Sequence, residues 1–359
     1  MKKKFFLLAI IVSTTFVHAS CKSGNQTSDQ TFAQPDGITA LTTDNDGQQI
    51  TRSYNLKDFT GISNYCGLKV EYTQADRYNV TLTGDKSQFE NLKVYVKDGM
   101  LCVKKQGKGS SERGVLSMKL TAPRIDMIDN QGSISFTAGS IRSHDMKLDN
   151  SGAMTFDVTH ITCNSITTDI SGSGKVSGNF EVKGNADFDV SGSGEINCDL
   201  DVKGNVDFDI SGAGKVSGNF QVKNNADFDI SGSGKLNGAL KAGGQCNVDC
   251  SGSCKLAFNL QAHDLKIETS GSLEMKSDII ADNLRIETYG SCKASFSFKG
   301  KMAKIENYGS GDIDIRVDCQ QLTAENPGSA RMKINGTADD TKIKSDGVSK
   351  IDVSGLNNF

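Results

Sequence analysis

Hydrophobic and polar residues alternate with a period of two through the middle of the chain. Between Ile170 and Val190 the even positions are apolar or glycine, and the odd positions are Ser, Lys, Asn, Glu or Asp. Successive side chains of a β-strand point to opposite faces, so this alternation predicts strands with one buried and one solvated face. A helix, with 3.6 residues per turn, would scatter the apolar set around its circumference.

The alternating pattern recurs at a fixed interval that glycine marks, with six steps of 20 residues followed by five of 19. Repeats this short bury their apolar face on their neighbours, which predicts a solenoid. We predict an all-β fold, a single-chain parallel β-helix of 19–20-residue coils over residues 126–359, about 50 Å long at about 4.8 Å per coil. The repeat glycines are Gly132, Gly152, Gly172, Gly192, Gly212, Gly232, Gly252, Gly271, Gly290, Gly309, Gly328 and Gly347.

The parity of the repeat decides which side chains stack. Twenty is even, so Phe188, Phe208 and Phe228 are expected in one interior column. A coil of 19 residues has to lose one residue at a corner to keep the same residues inside. We predict this loss at residues 262–265 and 281–284, where inward positions lie three apart across polar turn-forming residues. The Ser-Gly corners are attributed to backbone freedom and small stacked side chains.

The N-terminus has the features of an export signal. Lys2, Lys3 and Lys4 precede an apolar run over residues 5–12, and Cys21 follows directly after Ala-Ser. Residues 1–20 therefore resemble a bacterial lipoprotein signal peptide, with Cys21 as the site of lipid attachment, although His18 departs from the small or aliphatic residue usual at its position. The alternative is ordinary signal cleavage that leaves Cys21 free. No later apolar run approaches the length of a membrane span.

Two regions separate this signal from the repeats. Residues 21–49 are rich in Ser, Thr, Asn, Gln and Asp without apolar periodicity, which predicts a flexible tether. Residues 50–125 contain irregular strand signals, with a hairpin expected at Asp98-Gly99. We expect this region to be a β cap that covers the first coil, which would otherwise present an unpaired edge.

Several stretches resemble one known family. They are the run from Phe59 through residues 68–72, the hairpin at residues 96–99, residues 120–123 and the repeated Ser-Gly-Ser-Gly coils. Over residues 50–359 the chain is similar to the auto-transporter adhesin head, or GIN domain, family. The resemblance implies a β-helical protein, secreted or lipid-anchored, in the envelope of Gram-negative bacteria, many of them Bacteroidetes. It implies no catalytic motif.

The net charge limits the classes of binding partner, and the cysteine content limits the possible disulfides and metal sites. The net charge is −3, and removal of three lysines with the signal lowers it to about −6, which argues against a nucleic-acid partner. Besides Cys21 the chain has nine cysteines, an odd number, so disulfides cannot pair them all. Cys246, Cys250 and Cys254 have inward parity, which favours core packing; a bridge between the last two is open. Their spacing is not that of a thiolate metal site.

An acidic residue stands three positions before each repeat glycine except the last, where Lys344 stands. Carboxylates stacked about 4.8 Å apart repel, so we expect ion pairs across the corner with Lys175, Lys215, Lys235 and their equivalents. A second acidic column extends this to a six-carboxylate face: Asp187, Asp189, Asp207, Asp209, Asp227 and Asp229. The face is interpreted as a solubilising surface, with a weak Ca²⁺ site as the alternative.

We interpret the chain as a non-catalytic, lipid-anchored scaffold of the cell envelope, an outer-membrane lipoprotein facing the periplasm or the cell surface. It is expected to need no cofactor and to bind a glycan or protein ligand. His144, His160 and His263 form no recognisable catalytic arrangement, so no catalytic residue is assigned. A Ca²⁺-dependent enzyme acting on acidic polysaccharide is the alternative. Outward Tyr289 and Tyr308 are expected to stack, as a contact patch or as a stabilising ladder.

Overall fold

The computed structural model of the protein describes residues 38–43, 49–106, 114–346 and 349–358. Its secondary structure there is 27 strands and one 3₁₀ helix, Lys86–Phe89. The N-terminal strands are β1 (Ile38–Thr43), β2 (Gln49–Tyr54), β3 (Gly61–Asn64), β4 (Gly67–Gln74), β5 (Asn79–Asp85), β6 (Leu92–Lys97), β7 (Met100–Lys105) and β8 (Leu116–Ala122). Cys21, residues 1–20 and Gly347 lie outside the described residues.

The 20-residue coils each contain a short and a long strand. These strands are β9 (Met127–Asn130), β10 (Ser133–Arg142), β11 (Asp145–Asn150), β12 (Ala153–Cys163), β13 (Ser165–Ile170), β14 (Ser173–Val182), β15 (Ala186–Val190), β16 (Ser193–Val202), β17 (Val206–Ile210), β18 (Ala213–Val222), β19 (Ala226–Ile230), β20 (Ser233–Ala242) and β21 (Gln245–Cys250). One long strand per coil follows: β22 (Ser253–Thr269), β23 (Ser272–Thr288), β24 (Ser291–Asn307), β25 (Ser310–Asn326) and β26 (Arg331–Ser345), before the final β27 (Lys350–Asn358).

Each coil pairs in parallel with the coil before it, which confirms the predicted β-helix. Long strands pair with long strands from β10 onward, and short strands with short strands from β9 to β21, both ladders meeting at β22. Phe188 is in register with Phe208, and Phe208 with Phe228. The stacked rings have centroids 4.7 and 5.1 Å apart. The interior column expected from the 20-residue parity is therefore present.

The change from 20 to 19 residues also occurs where the pattern predicts it. Lys241 pairs with Gln261, whereas Gln245 pairs with Asp264, so one residue is lost between these two pairs. Ala262 and Leu265 are both buried on either side of that corner. The shorter coils thus keep their apolar residues inside, and each runs as one continuous strand.

Antiparallel strands close the N-terminal end of the stack. The Asp98-Gly99 hairpin is confirmed: β6 and β7 pair antiparallel, with Lys97 opposite Met100. Asp98 and Gly99 both have positive φ, as a two-residue hairpin turn of this kind requires. On the other side of the stack β5 pairs antiparallel with β8 and β2, and β2 with β1. Two edges of the first coil are covered by these strands.

Parallel pairing begins before residue 126, within the region expected to be the β cap. Strand β3 pairs in parallel with β7 and β9, and β4 with β8 and β10. The coil of residues 61–74 therefore lies between the coil formed by β7 and β8 and the coil that starts at β9. Strand β1 lies within residues 21–49, the range expected to be a tether. Its backbone pairs antiparallel with the edge of β2.

Close packing between coils explains the repeat glycines better than backbone freedom does. None of the described repeat glycines has a positive φ. A Cβ atom on Gly212 would instead collide with the carbonyl oxygen of Gly192 in the preceding coil. The repeat glycines of the other coils make the same close contact with the preceding coil. Their regular spacing therefore follows from the corner at which the backbones of successive coils meet.

Buried asparagines stack at the two ends of the interior. Asn64 donates its side-chain N–H to Asn130 at 2.8 Å, and Asn130 donates to Asn150 at 2.7 Å. Near the other end Asn307 donates to Asn326 at 2.7 Å. Ile170, Val190, Ile210 and Ile230 occupy the same column between these ladders. Each amide bonds to the next, so the polar groups are satisfied although water is excluded.

The glycine contact predicts a selective effect of adding one methyl group. Gly212→Ala should destabilise the fold by about 1–3 kcal/mol, because the new Cβ forces two backbones apart. Gly139→Ala is the matched control, since a Cβ at this exposed strand glycine meets nothing within 4 Å. Thermal melts followed by circular dichroism measure both variants. Equal melting temperatures for the two would contradict the packing explanation.

Candidate binding surface

The acidic column is continuous across the stack, as its spacing predicts. Adjacent members are directly in register from coil to coil. The column is Asp129, Asp149, Asp169, Asp189, Asp209, Asp229, Asp249, Glu268, Glu287, Glu306 and Glu325, ending at Lys344. Stacked like charges cost free energy, so the neighbouring columns decide whether this one is tolerated.

In the 19-residue coils basic residues on the same strand offset the acidic column. Lys266 lies 2.8 Å from Glu268, and Lys304 lies 2.8 Å from Glu306, each two residues earlier on the strand. Arg285 binds Glu287 in the same way. Burial favours the neutral form of Glu287, but the hydrogen bond and charge of Arg285, together with hydrogen bonds from Glu306 and Tyr289, outweigh it and lower the pKa of Glu287. This part of the column is therefore locally neutralised.

In three of the 20-residue coils the same strand position carries a second acid. Asp187, Asp207 and Asp227 stack in register there, and the column ends where Asn247 donates to Asp227 at 2.6 Å. Partial burial and then the surrounding carboxylates, Asp227 first, raise the pKa of Asp207 to about 6. Burial also raises the pKa of Asp187, Asp189 and Asp229. Ionisation of these four carboxyls is thus less favourable than in water.

The ion pairs expected across the corner are not the ones formed, so that prediction is wrong. Lys215 lies 3.1 Å and Lys175 3.9 Å from Glu195, which is in their own column. Lys255 likewise lies 2.7 Å from Glu274 in the next coil. An acid one coil away on the same face is within easy reach of a lysine, whereas the Asp column faces another direction beyond the corner.

The acidic face has no geometry for chelating a cation. No group of three or more His, Cys, Asp or Glu side chains among the described residues is placed to hold a metal ion. Carboxylates in one column are spaced by the strand separation of about 4.8 Å, and the two columns are two residues apart along the strand. Their oxygens point outward in parallel instead of converging as Ca²⁺ ligands do. The calcium alternative gains no support from this surface.

The three histidines each contact a different carboxylate. His144 lies 2.8 Å from Asp145, His263 lies 2.9 Å from Asp282, and His160 lies 3.8 Å from Glu181. Such exposed pairs contribute little to stability. The histidines do not share a proton-transfer partner, so the fold does not assemble them into one site.

Tyr289 and Tyr308 form the stacked pair predicted from their spacing. Their ring centroids are 5.0 Å apart with planes 5° apart, and the side chains are 56% and 46% exposed. Stacking occupies the facing surface of each ring and stabilises the pair as a ladder. The two residues remain exposed, so a contact patch stays the alternative.

The cysteines of the described residues other than Cys102 are free thiols, and all nine except Cys66 are buried. Cys246, Cys250 and Cys254 lie in the interior, which confirms their predicted packing role. Burial raises the pKa of Cys163 to about 12, so its reactive thiolate form is disfavoured. Within the described ranges, no helix has the length and hydrophobicity to span a membrane.

The sequence matches the family described as "Putative auto-transporter adhesin, head GIN domain" over residues 58–239 and 264–358. The chain therefore belongs to this adhesin-like family, which indicates a protein of the cell envelope or surface. No curated protein matches the sequence.

Solved structures from Bacteroides and Parabacteroides species resemble the chain weakly. A "putative adhesin" from Bacteroides fragilis is 14% identical, with a TM-score of 0.27, covering 85% of this chain and 97% of its own. A "putative lipid binding protein" from Parabacteroides distasonis is 14% identical, with a TM-score of 0.31, covering 86% and 97%. A "putative adhesin" from Parabacteroides merdae is 14% identical, with a TM-score of 0.24, covering 86% and 96%.

The raised pKa of Asp207 predicts a pH-dependent stability. A carboxyl that holds its proton more tightly in the folded state, with a pKa of about 6 instead of 3.8, opposes folding once it ionises. The destabilising contribution of Asp207 should therefore disappear as the pH falls from 7.5 to about 4. Asp207→Asn should raise the melting temperature at pH 7.5 by roughly 2 °C, the effect of a solvent-screened interaction below about 1 kcal/mol.

The same comparison at about pH 4 supplies the internal control, because the gain from Asp207→Asn should disappear there. Asp340→Asn removes one exposed charge outside the six-carboxylate face and should change the melting temperature at neither pH. A gain from Asp207→Asn that is equal at both pH values would show that charge on this face is not the cause.

Proposed function

We propose that the protein is a non-catalytic adhesin or binding scaffold, held by a lipid on Cys21 in the outer membrane of a Gram-negative bacterium. Membership of the adhesin-head family supports the adhesive role. The observation that carries the proposal is the parallel register from β4 to β26, which one bulge at residues 157–160 interrupts. This register stacks outward side chains into columns on a rigid support. A rigid repeated surface binds an extended partner at little entropic cost.

The anchor follows from the residues around the proposed cleavage site. A basic segment, a short apolar run and Cys21 after Ala-Ser are the order in which a lipoprotein signal is read. One diacyl-modified cysteine with further acylation supplies enough buried methylene groups for stable attachment to a membrane. The ligand that the β-helix binds is a glycan or a protein, because the acidity of the chain disfavours nucleic acid.

The anchor can be tested by replacing the acylated cysteine. Wild-type protein should appear in the membrane fraction with the mass of an attached lipid, because only the thiol of Cys21 accepts it. Cys21→Ala should appear in the soluble or secreted fraction. Cys66→Ala is the matched control and should stay with the membrane. Unlipidated wild-type protein in the soluble fraction would instead support ordinary cleavage.

The same strains test the role itself. Cells with wild-type protein should lose it to added protease and should adhere to glycan- or matrix-coated surfaces more than Cys21→Ala cells do. Protection from protease together with equal adherence would contradict an adhesin. A screen of acidic polysaccharides for cleavage products belongs beside it, because cleavage without adhesion would make the enzyme the better assignment.

A further inference from the structure

A long groove runs along the stack on a different face from the acidic columns. It has a volume of about 880 Å³ and crosses the starts of seven successive long strands, from β10 to β22. At about 4.8 Å per strand these strands span roughly 30 Å. Stacked small residues line it, mainly Ser133, Ala153, Ser173, Ser193, Ala213, Ser233 and Ser253. Such a groove accepts an extended chain rather than a compact ligand.

A row of lysines, not the small residues, gives the groove its chemistry. The charged residues that line it are Lys175, Glu195, Lys215, Lys235 and Lys255. They occupy one outward column on successive coils, in direct register. Four lysines against one glutamate leave an excess of positive charge, although the whole chain is acidic. The groove therefore attracts anions that the rest of the surface repels.

The internal ion pairs leave part of that positive charge available. Glu195 is shared by Lys215 at 3.1 Å and Lys175 at 3.9 Å. Lys255 contacts Glu274, which does not line the groove. Lys235 has no carboxylate within 4.0 Å among the described residues. At 48% side-chain exposure, Lys175 and Lys215 are also open to solvent.

The chemistry of the lining selects among anionic polymers. Serine hydroxyls both donate and accept hydrogen bonds, which suits a partner rich in hydroxyl groups. The groove is lined by no aromatic residue on which a nucleobase could stack. Glu195 within the row also disfavours a partner with dense, continuous negative charge. These features match a sugar chain with spaced carboxylates.

We propose that this groove, the lysine groove, binds a linear acidic polysaccharide along the axis of the β-helix. The sugar carboxylates pair with Lys215, Lys235 and Lys255, and the sugar hydroxyls bond to the stacked serines. The inference rests on the proposed role as a binding scaffold and names its ligand class.

The test uses the purified full-length protein and polygalacturonate, with dextran as the uncharged polymer. The triple variant Lys215→Gln, Lys235→Gln, Lys255→Gln should lose binding by more than about tenfold. The matched control is Lys183→Gln, Lys203→Gln, Lys223→Gln, which removes three exposed lysines at the same coil spacing outside the groove and should keep wild-type affinity. Circular dichroism confirms that both fold.

Glu195→Gln is the converse variant and should bind polygalacturonate more tightly, a gain that misfolding cannot produce. Binding should weaken as salt is raised, since exposed charges are screened. Equal losses in the two triple variants, or equal binding of dextran, would overturn the lysine groove as the site. Tighter binding of polyglutamate or single-stranded DNA than of polygalacturonate would overturn the ligand class.

The binding experiment and the Cys21 experiments can be contradicted independently of each other. Wild-type protein without an attached lipid, or equal adherence of wild-type and Cys21→Ala cells, would overturn the anchored adhesin whatever polygalacturonate does. If anchoring and adherence hold while purified protein ignores polygalacturonate, only the lysine groove proposal falls.

Discussion

The parity of inward positions is the constraint on which the rest of the structure depends. Each coil buries its apolar residues only on its neighbours, so one slipped residue within a strand would turn the whole inward set toward water. The chain keeps this parity through coils of two lengths by removing a residue at a corner, as between the pairs Lys241–Gln261 and Gln245–Asp264. The Phe188 column and the buried asparagines both follow from it.

The same register that builds the core also stacks charge on the outside. Parallel coils with identical repeats place like residues above one another, so an acidic position becomes an acidic column. In the 19-residue coils Lys266, Arg285 and Lys304 neutralise the acidic column. Three of the 20-residue coils instead carry a second acid, Asp187, Asp207 or Asp227. With the lysine groove on another face, the middle coils present opposite charge on separate sides. Such separation suits selective binding of an anionic partner.

Much of this was predictable because the repeats are periodic. Alternation and spacing predicted the coil register, the Phe column, the corner at residues 262–265 and the Asp98-Gly99 hairpin. The spatial order of the first coils was not predictable. The coil at residues 61–74 lies between two segments that follow it in the sequence, and the sequence of this region has no repeat that would indicate this order. The ion pair between Lys215 and Glu195 was also missed. In the other column, the sequence does show that Lys266 replaces Asp227 in the later coils, and this replacement indicates where the acidic charge is offset.

Insertion of a single residue at two nearby positions tests the parity constraint most directly. A glycine inserted after Asn224 enters a corner, where the chain already varies by one residue between coils, and the melting temperature should stay within about 3 °C of wild type. A glycine inserted after Asp227 enters β19 and would turn Phe228 outward, so the melting temperature should fall by more than about 10 °C. Equal losses from the two insertions would contradict a core organised by inward parity.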